Sequence, residues 1–209
     1  MKVVIIDGPD NVGKTTLINR LIEGSSDAYY IHCQKPKSKD PIKAALEQNA
    51  YFKKLIEDIV KLKEALNTNL VILDRSWIGE YVYGCKYRNN GEEYVLDMID
   101  DIYNRLHNVK LNCGIKDHSF QYYTILLTVD NPDFCVMHDD GKSISQADIE
   151  NITDEINRFN NIFEWSVNRF NNIFEWSDGM DWHKIIVNDG LNFKSENTIF
   201  KEVTRILNT

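Results

Sequence analysis

The chain has 209 residues and carries 32 acidic against 24 basic side chains, a formal net charge of −8. That balance gives no overall attraction for nucleic acid or anionic lipid, so any polyanion it holds must meet a local basic site. The length suits a single domain with a sizeable core. The apolar content of 43% argues against wholesale disorder, and no apolar run reaches the roughly 18 residues of a membrane span.

In chain order, Val3 to Asp7 is a short apolar run rich in β-branched residues, which predicts a buried parallel strand. It is far too short for a signal peptide, and no small-residue cleavage site follows it. Gly8-Pro9-Asp10-Asn11-Val12-Gly13-Lys14-Thr15 comes next and matches G-x-x-x-x-G-K-[ST]. Two glycines permit a tight loop whose backbone N–H groups turn inward on a phosphate, and the start of a helix adds to the anion site. Lys14 would reach the β- and γ-phosphates, and the Thr15 hydroxyl would bind Mg²⁺. The alternative is a chance match in a glycine turn. A strand before it and a helix over Thr15 to Ile22 after it argue against chance.

Helical periodicity follows over residues 41 to 67. Leu70 to Leu73 reads as a second buried strand, and it ends in Asp74-Arg75-Ser76. A carboxylate at the carboxyl end of a strand beside a phosphate loop can hold Mg²⁺, directly or through water, and Arg75 would face the same crevice. Glu92 to His107 is helical by pattern, Tyr122 to Val129 a third strand, Ile149 to Ser177 helical, Lys184 to Val187 a last short strand, and Thr198 to Leu207 a closing helix. Strands alternating with helices predict an α/β class: a P-loop NTPase three-layer fold, its parallel sheet flanked by helices. Residues 1–209 read as one domain, with a small lid-like segment at about 133–148.

Asn157 to Ser166 reads NRFNNIFEWS, and Asn168 to Ser177 repeats it after 11 residues. Eleven residues turn an α-helix by about three turns plus 20°, so the copies keep one apolar face in phase: Phe159, Phe163, Val167, Phe170 and Phe174. The stripe reads as core or interface, and two copies do not make a solenoid. A recent duplication explains them. The added turns must project, bend back or lie disordered, and projecting turns would expose Phe, Ile and Trp and invite self-association. Cys33, Cys85, Cys113 and Cys135 are scattered, which predicts reduced thiols and a cytoplasmic location rather than zinc or disulfides. The five histidines show no ligand spacing.

Taken together, the phosphate loop GPDNVGKTT, the segment Asp74-Arg75-Ser76 with its continuation WIGEYVYGCKYR, the stretches LLTVDNPD and HDDGKSIS, and IIVNDG near the end resemble the thymidylate kinase-like branch of the nucleoside monophosphate kinase family. The resemblance implies roles. Gly8, Asn11, Val12, Gly13, Lys14, Thr15 and Thr16 would hold the ATP phosphates, with Thr15 and Asp74 on Mg²⁺. Asp10 would lie near the acceptor's sugar and phosphate, and Arg75 on the acceptor phosphate. Glu80, Tyr81, Tyr83 and Arg88 become candidates for the acceptor pocket. Phe52 could offer a stacking face or be ordinary core. Asn188, Asp189 and Gly190 match the loop edging the donor adenine. Lys14, Arg75, Asp74 and Asp10 are the expected catalytic set, and a homodimer is implied.

Departures from the family pattern matter. Asn11 stands where a loop arginine could be, and the lid-like stretch offers no arginine. Residues 133–164 hold eight acids against Lys142 and Arg158. Arg75, Arg88 or Lys142 must fill the role, or turnover is slow. Residues 35–64 are basic, with eight lysines against five acids, either a solvated helix face or the lining of an acceptor channel.

The expected function is therefore ATP-dependent phosphorylation of a deoxynucleoside monophosphate, with thymidylate the leading acceptor. Two rivals stand beside it. One is a kinase for a hydroxyl of a deoxynucleoside, or of a hydroxymethyl pyrimidine in DNA. The other is a non-catalytic nucleotide-binding module.

Overall fold

The computed structural model describes residues 1–66, 68–112, 120–141, 148–173 and 180–209. Strand β1 (Lys2–Asp7) runs into α1 (Lys14–Glu23), then β2 (Ala28–His32), α2 (Pro41–Leu66) and β3 (Leu70–Asp74). A continuous helical run follows: α3 (Trp77–Gly79), a π-helical turn (Glu80–Gly84) and α4 (Cys85–Arg88). Then come α5 (Glu92–Asn112), β4 (Gln121–Thr128), α6 (Pro132–Met137) and α7 (Ile149–Ile173). The chain closes with β5 (Met180–Ile186), a short hairpin of β6 (Asn188–Asp189) and β7 (Asn192–Phe193), and α8 (Glu196–Leu207).

Five strands form one parallel sheet in the order β2-β3-β1-β4-β5. Central β1, β3 and β4 are apolar on both faces because helices cover both, and their side chains divide by period two. Val3 and Ile5 join Val71, Leu73, Phe52, Trp77, Ile99 and Tyr103 in one core. Val4 and Ile6 join Ile72, Leu17, Ile18, Leu127, Val203 and Ile206 in the other. The chain builds one side of β1 and then the other, which leaves a crevice at the strands' carboxyl ends.

Strand β2 is absent from the expected four. None of its five residues is fully buried at the sheet edge, with Tyr29 and Tyr30 open to solvent, so it lacks the apolar run that marks the central strands. Tyr-Tyr-Ile after a Gly-Ser-Ser-Asp turn is the signal that reveals it. Strand β5 begins at Met180 rather than Lys184.

As far as Phe170 the duplicated segment packs into the molecule rather than projecting from it. Helix α7 runs unbroken through the first copy and into the second as far as Ile173; Phe174 to Ser177 lie outside the described residues. Ile152 and Ile156 enter one core, while Phe159, Ile162, Phe163 and Phe170 enter the other. Both copies therefore supply core aromatics, each contributing about 1.5–3 kcal/mol of burial. Phe170 stacks on Trp182 of β5 at 6.5 Å and packs on Tyr103 at 4.2 Å. No helix among the described residues is long and apolar enough to cross a membrane.

Candidate functional site

Between β1 and α1 the backbone leaves ordinary geometry three times: Gly8, Asn11 and Gly13 have φ of 142°, 66° and 80°. At Gly8 a Cβ would collide with the Leu127 carbonyl oxygen of β4, so the loop passes where only glycine fits. The Lys14 ammonium is buried and curls back on the loop, donating to the Gly8 carbonyl at 2.9 Å and to the Pro9 carbonyl. Burial pulls its pKa down, opposed by Asp10 4.0 Å away.

On the neighbouring strand, Asp74 ends β3 almost fully buried. Its Oδ2 accepts from the Tyr30 hydroxyl at 2.8 Å and lies 2.8 Å from His32 Nδ1. Tyr30 and His32 both come from the unforeseen strand β2. Arg75 follows at φ 68°, a left-handed conformation that costs a non-glycine residue about 1 kcal/mol or more. That turn sends its guanidinium to Asp10 at 2.8 Å and over the Tyr83 ring at 5.2 Å.

Asp10, Asn11, Gly13, Lys14, Thr15, His32, Asp74 and Arg75 line one open polar cleft of about 430 Å³, closed on its far side by His138, Asp140 and Phe193. The lid-like stretch reaches the loop directly, because Asn11 Nδ2 donates to Asp139 at 3.2 Å. Among the described residues Arg75 is the one arginine lining this cleft. Lys142, the other lid candidate, lies outside the described residues. Thr15 and Asp74 share the cleft with Lys14, and the set suits a divalent cation beside a triphosphate: a hydroxyl, a carboxylate and a cradle of amides.

Behind Arg75 lies a second, narrower cavity of about 40 Å³. Phe52, Glu80, Tyr83 and Arg88 all line it, joined by Gln48 of α2 and by Cys33 and Gln34 after β2. The π-turn aims Glu80 and Tyr83 inward from one helical run. Glu80 accepts from Arg88; burial raises the Glu80 pKa and the guanidinium works against that rise. Gly84 leaves room for this pair, since a Cβ there would lie 2.5 Å from Glu80 Oε2 and 3.2 Å from Arg88 Nη2. Phe52 is core as well as lining, meeting Trp77 edge-on at 5.8 Å. Tyr81 turns away from the cavity and donates to Glu92.

One buried acid went unmarked in the sequence. Asp7 accepts from the Ser76 hydroxyl at 2.7 Å and from the Gly8 amide at 3.2 Å, so it joins the phosphate loop to the cap of α3. Burial pushes its pKa up to about 6, with Ser76, Lys14 and Arg75 pulling the other way. Gln48 was missed too, hidden in the polar spacing of a long helix.

Thr16 faces a separate apolar groove of about 140 Å³ with Val12, Leu17, Ile199 and Phe193. Asn188 is buried, donating to Asp130 at 2.6 Å and to the Gly190 carbonyl at 2.8 Å, so it braces its loop. The side chains that this hairpin presents to the groove are Phe193 and Lys194.

A strand, a glycine loop and a helix set in a five-stranded parallel sheet of order 2-3-1-4-5 define a P-loop NTPase-like α/β fold. Solved structures share it over nearly the whole chain. The YorR protein of Bacillus subtilis, in complex with phosphorylated GDP, is similar with a TM-score of 0.59 at 15% identity, covering 99% of this chain and 95% of that one. The thymidylate kinase of Ehrlichia chaffeensis is similar with a TM-score of 0.56 at 14% identity, covering 99% and 98%. No protein-family model matches the sequence, and no curated protein matches it.

Proposed function

We propose that the chain is an ATP-dependent phosphotransferase whose acceptor is a deoxynucleoside monophosphate, thymidylate first among them. The observation that carries this reading is the placement of Arg75. It lines both the phosphate cleft and the cavity behind it, as His32 does, so a donor phosphate and an acceptor phosphate would meet across one guanidinium. Asp10 holds that guanidinium in place at 2.8 Å. The likeness to a thymidylate kinase structure supports the choice of acceptor.

Lys14 would leave the Gly8 and Pro9 carbonyls to neutralise the β- and γ-phosphates. An acceptor phosphate oxygen attacks the γ-phosphorus, the bond to the β–γ bridging oxygen breaks, and ADP leaves. A monophosphate already carries its nucleophile, so positioning and charge neutralisation supply most of the rate. Thr15 and Asp74 would hold Mg²⁺, which supplies charge neutralisation at the phosphates. Arg75 takes the place of the lid or loop arginine. The proposal includes a homodimer, tested by sedimentation equilibrium.

The acceptor cavity is small, about 40 Å³, which favours a small nucleotide over a base held in duplex DNA. Some lysines of residues 35–64 are already engaged within the molecule. Lys53 pairs with Asp101 at 2.8 Å and Lys61 with Asp58 at 3.6 Å, while Lys35 lines the acceptor cavity.

The test is transfer of radiolabelled γ-phosphate from ATP, and separately from GTP because YorR holds a guanine nucleotide, to a panel of deoxynucleotides, deoxynucleosides and DNA. Label on a deoxynucleoside monophosphate is the expected result. Label on DNA or nucleosides alone rejects the monophosphate reading. ATP binding without transfer to any acceptor makes the chain a nucleotide-binding module.

A further inference from the structure

The two carboxylate oxygens of Asp74 stand in unequal settings. Oδ2 is held twice, by the Tyr30 hydroxyl and by His32 Nδ1, each at 2.8 Å. A carboxylate can only accept, so the proton of the second contact sits on Nδ1. Oδ1 takes no hydrogen bond from any described residue, although Asp74 lines the cleft at the loop before α1.

The register of the sheet builds this arrangement. Strand β2 pairs with β3 in parallel, with His32 beside Asp74 and Tyr30 beside Ile72. Residues two apart on a strand share a face, so Tyr30, His32 and Asp74 project on the side where Ile72 packs with Leu17 and Ile18 of α1. His32 is the lateral neighbour of Asp74; Tyr30 is the diagonal one, within reach of a long aromatic side chain. Neither belongs to a hydrophobic core: Tyr30 is 42% exposed and the His32 side chain 54%. Their polar atoms meet at Asp74 instead.

That grip also keeps Asp74 off its cationic neighbours. Lys14 and Arg75 both lie within its electrostatic reach. Asp10 takes both, Arg75 at 2.8 Å and Lys14 at 4.0 Å, and among the described residues Asp74 forms an ion pair with neither. A carboxylate left to rotate would be drawn to the ammonium or the guanidinium and would lose its place beside a divalent cation.

We propose, resting on the kinase reading of the cleft, that Tyr30 and His32 are positioning residues for the metal: they pin Oδ2 of Asp74 and present Oδ1 alone to the divalent cation of the nucleotide. Mg²⁺ demands a near-octahedral shell in which waters and phosphate oxygens accompany one or two carboxylates, so the orientation of the carboxylate counts. Tyr30 lines neither the cleft nor the cavity behind Arg75, so it reaches the nucleotide only through Asp74.

The experiment measures Mn²⁺ affinity by electron paramagnetic resonance, in the complex with a non-hydrolysable ATP analogue. It compares the wild type with Tyr30→Phe, His32→Leu, His32→Asn and Asp74→Ala. Calorimetry of ATP without metal and the Mg²⁺ dependence of phosphate transfer accompany it. Tyr30→Phe keeps the ring of an exposed edge residue and removes one oxygen. It is expected to weaken Mn²⁺ binding about 10-fold and to raise the Mg²⁺ concentration for half-maximal transfer by the same factor. Metal-free ATP binding and kcat at saturating Mg²⁺ are expected to stay within about 2-fold. His32→Leu is expected to weaken Mn²⁺ similarly, and His32→Asn to recover most of the loss, because its amide N–H takes the place of Nδ1. Added to Asp74→Ala, Tyr30→Phe is expected to change nothing further. Unchanged Mn²⁺ affinity in Tyr30→Phe, the same loss in the Asp74→Ala background, or no recovery in His32→Asn overturns the assignment. Should the wild type bind Mn²⁺ with the analogue but transfer phosphate to no acceptor, the kinase reading fails, and the Mn²⁺ affinities alone decide the roles of Tyr30 and His32. A wild type that binds no Mn²⁺ with the analogue overturns them outright.

Discussion

The cleft at the loop before α1 and the cavity behind Arg75, the donor and acceptor sites of the proposed kinase, share Arg75 and His32 and are otherwise built on opposite plans. The cleft is built around one contiguous stretch of chain, residues 10–15, with Asp74 and Arg75 beside it and His32, His138, Asp140 and Phe193 completing the lining. Under the proposed function its binding groups would be amides, so residue identity would matter mainly where φ is positive or a Cβ would collide. The cavity is assembled from the segment after β2, one face of α2, and a helical run interrupted by a π-turn. Its groups are side chains, several charged or unpaired in a buried setting. A site made of backbone tolerates drift in its surroundings; a site made of buried side chains depends on every element that carries them.

The sharpest way to break this contrast is Lys14→Ala. Phosphate transfer is expected to fall on the order of 10³-fold or more, while deoxynucleotide binding to the cavity persists. Its melting temperature is expected to stay level or rise, because an ammonium desolvated at 7% exposure is removed. Steady-state kinetics, calorimetry and a thermal melt read all three.

On the cavity side, Glu80→Ala leaves Arg88 charged without its carboxylate in a largely buried site. A loss of about 3 kcal/mol in urea denaturation is expected, with weakened acceptor binding and unchanged ATP binding. An equal loss of ATP affinity would show that the two sites are not separable.

Asp7 lies where the two regions join and gives a pH signature. Its folded pKa of about 6 stands above the ordinary 3.8, so the native state holds its proton more tightly. Its stabilising contribution is complete below about pH 4 and is lost as pH rises through 6. Asp7→Asn is therefore expected to remove a decline of about 1–3 kcal/mol between pH 4 and pH 7, measured by denaturation at several pH values. A wild type whose stability is flat over that window would contradict the burial of an ionisable Asp7.

The smallest effect concerns backbone alone. Both Arg75→Gly and Arg75→Ala lose the guanidinium, but only glycine accepts φ 68° freely. The glycine variant is expected to be more stable by about 1 kcal/mol, in a comparison of two melts with equally low activity.

Legibility in the sequence followed the same division. Gly8, Gly13, Lys14, Thr15 and Asp74 could be named because spacing along one strand-loop-helix unit determines their relation. Phe52, Glu80, Tyr83 and Arg88 came from resemblance, and the structure gathers them at one cavity while turning Tyr81 outward. Gln48, Asp7, Tyr30, His32 and Phe193 escaped notice, since each acquires meaning only from a neighbour distant in the chain. Strand β2 escaped because an edge strand needs no apolar run. The duplicated aromatics could be placed on one helix face, but not inside or outside the molecule.

Local chain chemistry thus determined the phosphate loop, the central strands and the three-layer class, because hydrogen-bonding pattern and hydrophobic period act over a few residues. Tertiary packing decided the rest. It packed Phe163 of the first copy and Phe170 of the second against Trp182, with Phe170 also on Tyr103, and swung Arg75 between two cavities. Burial and pairing across distant segments set those outcomes, and no local period encodes them.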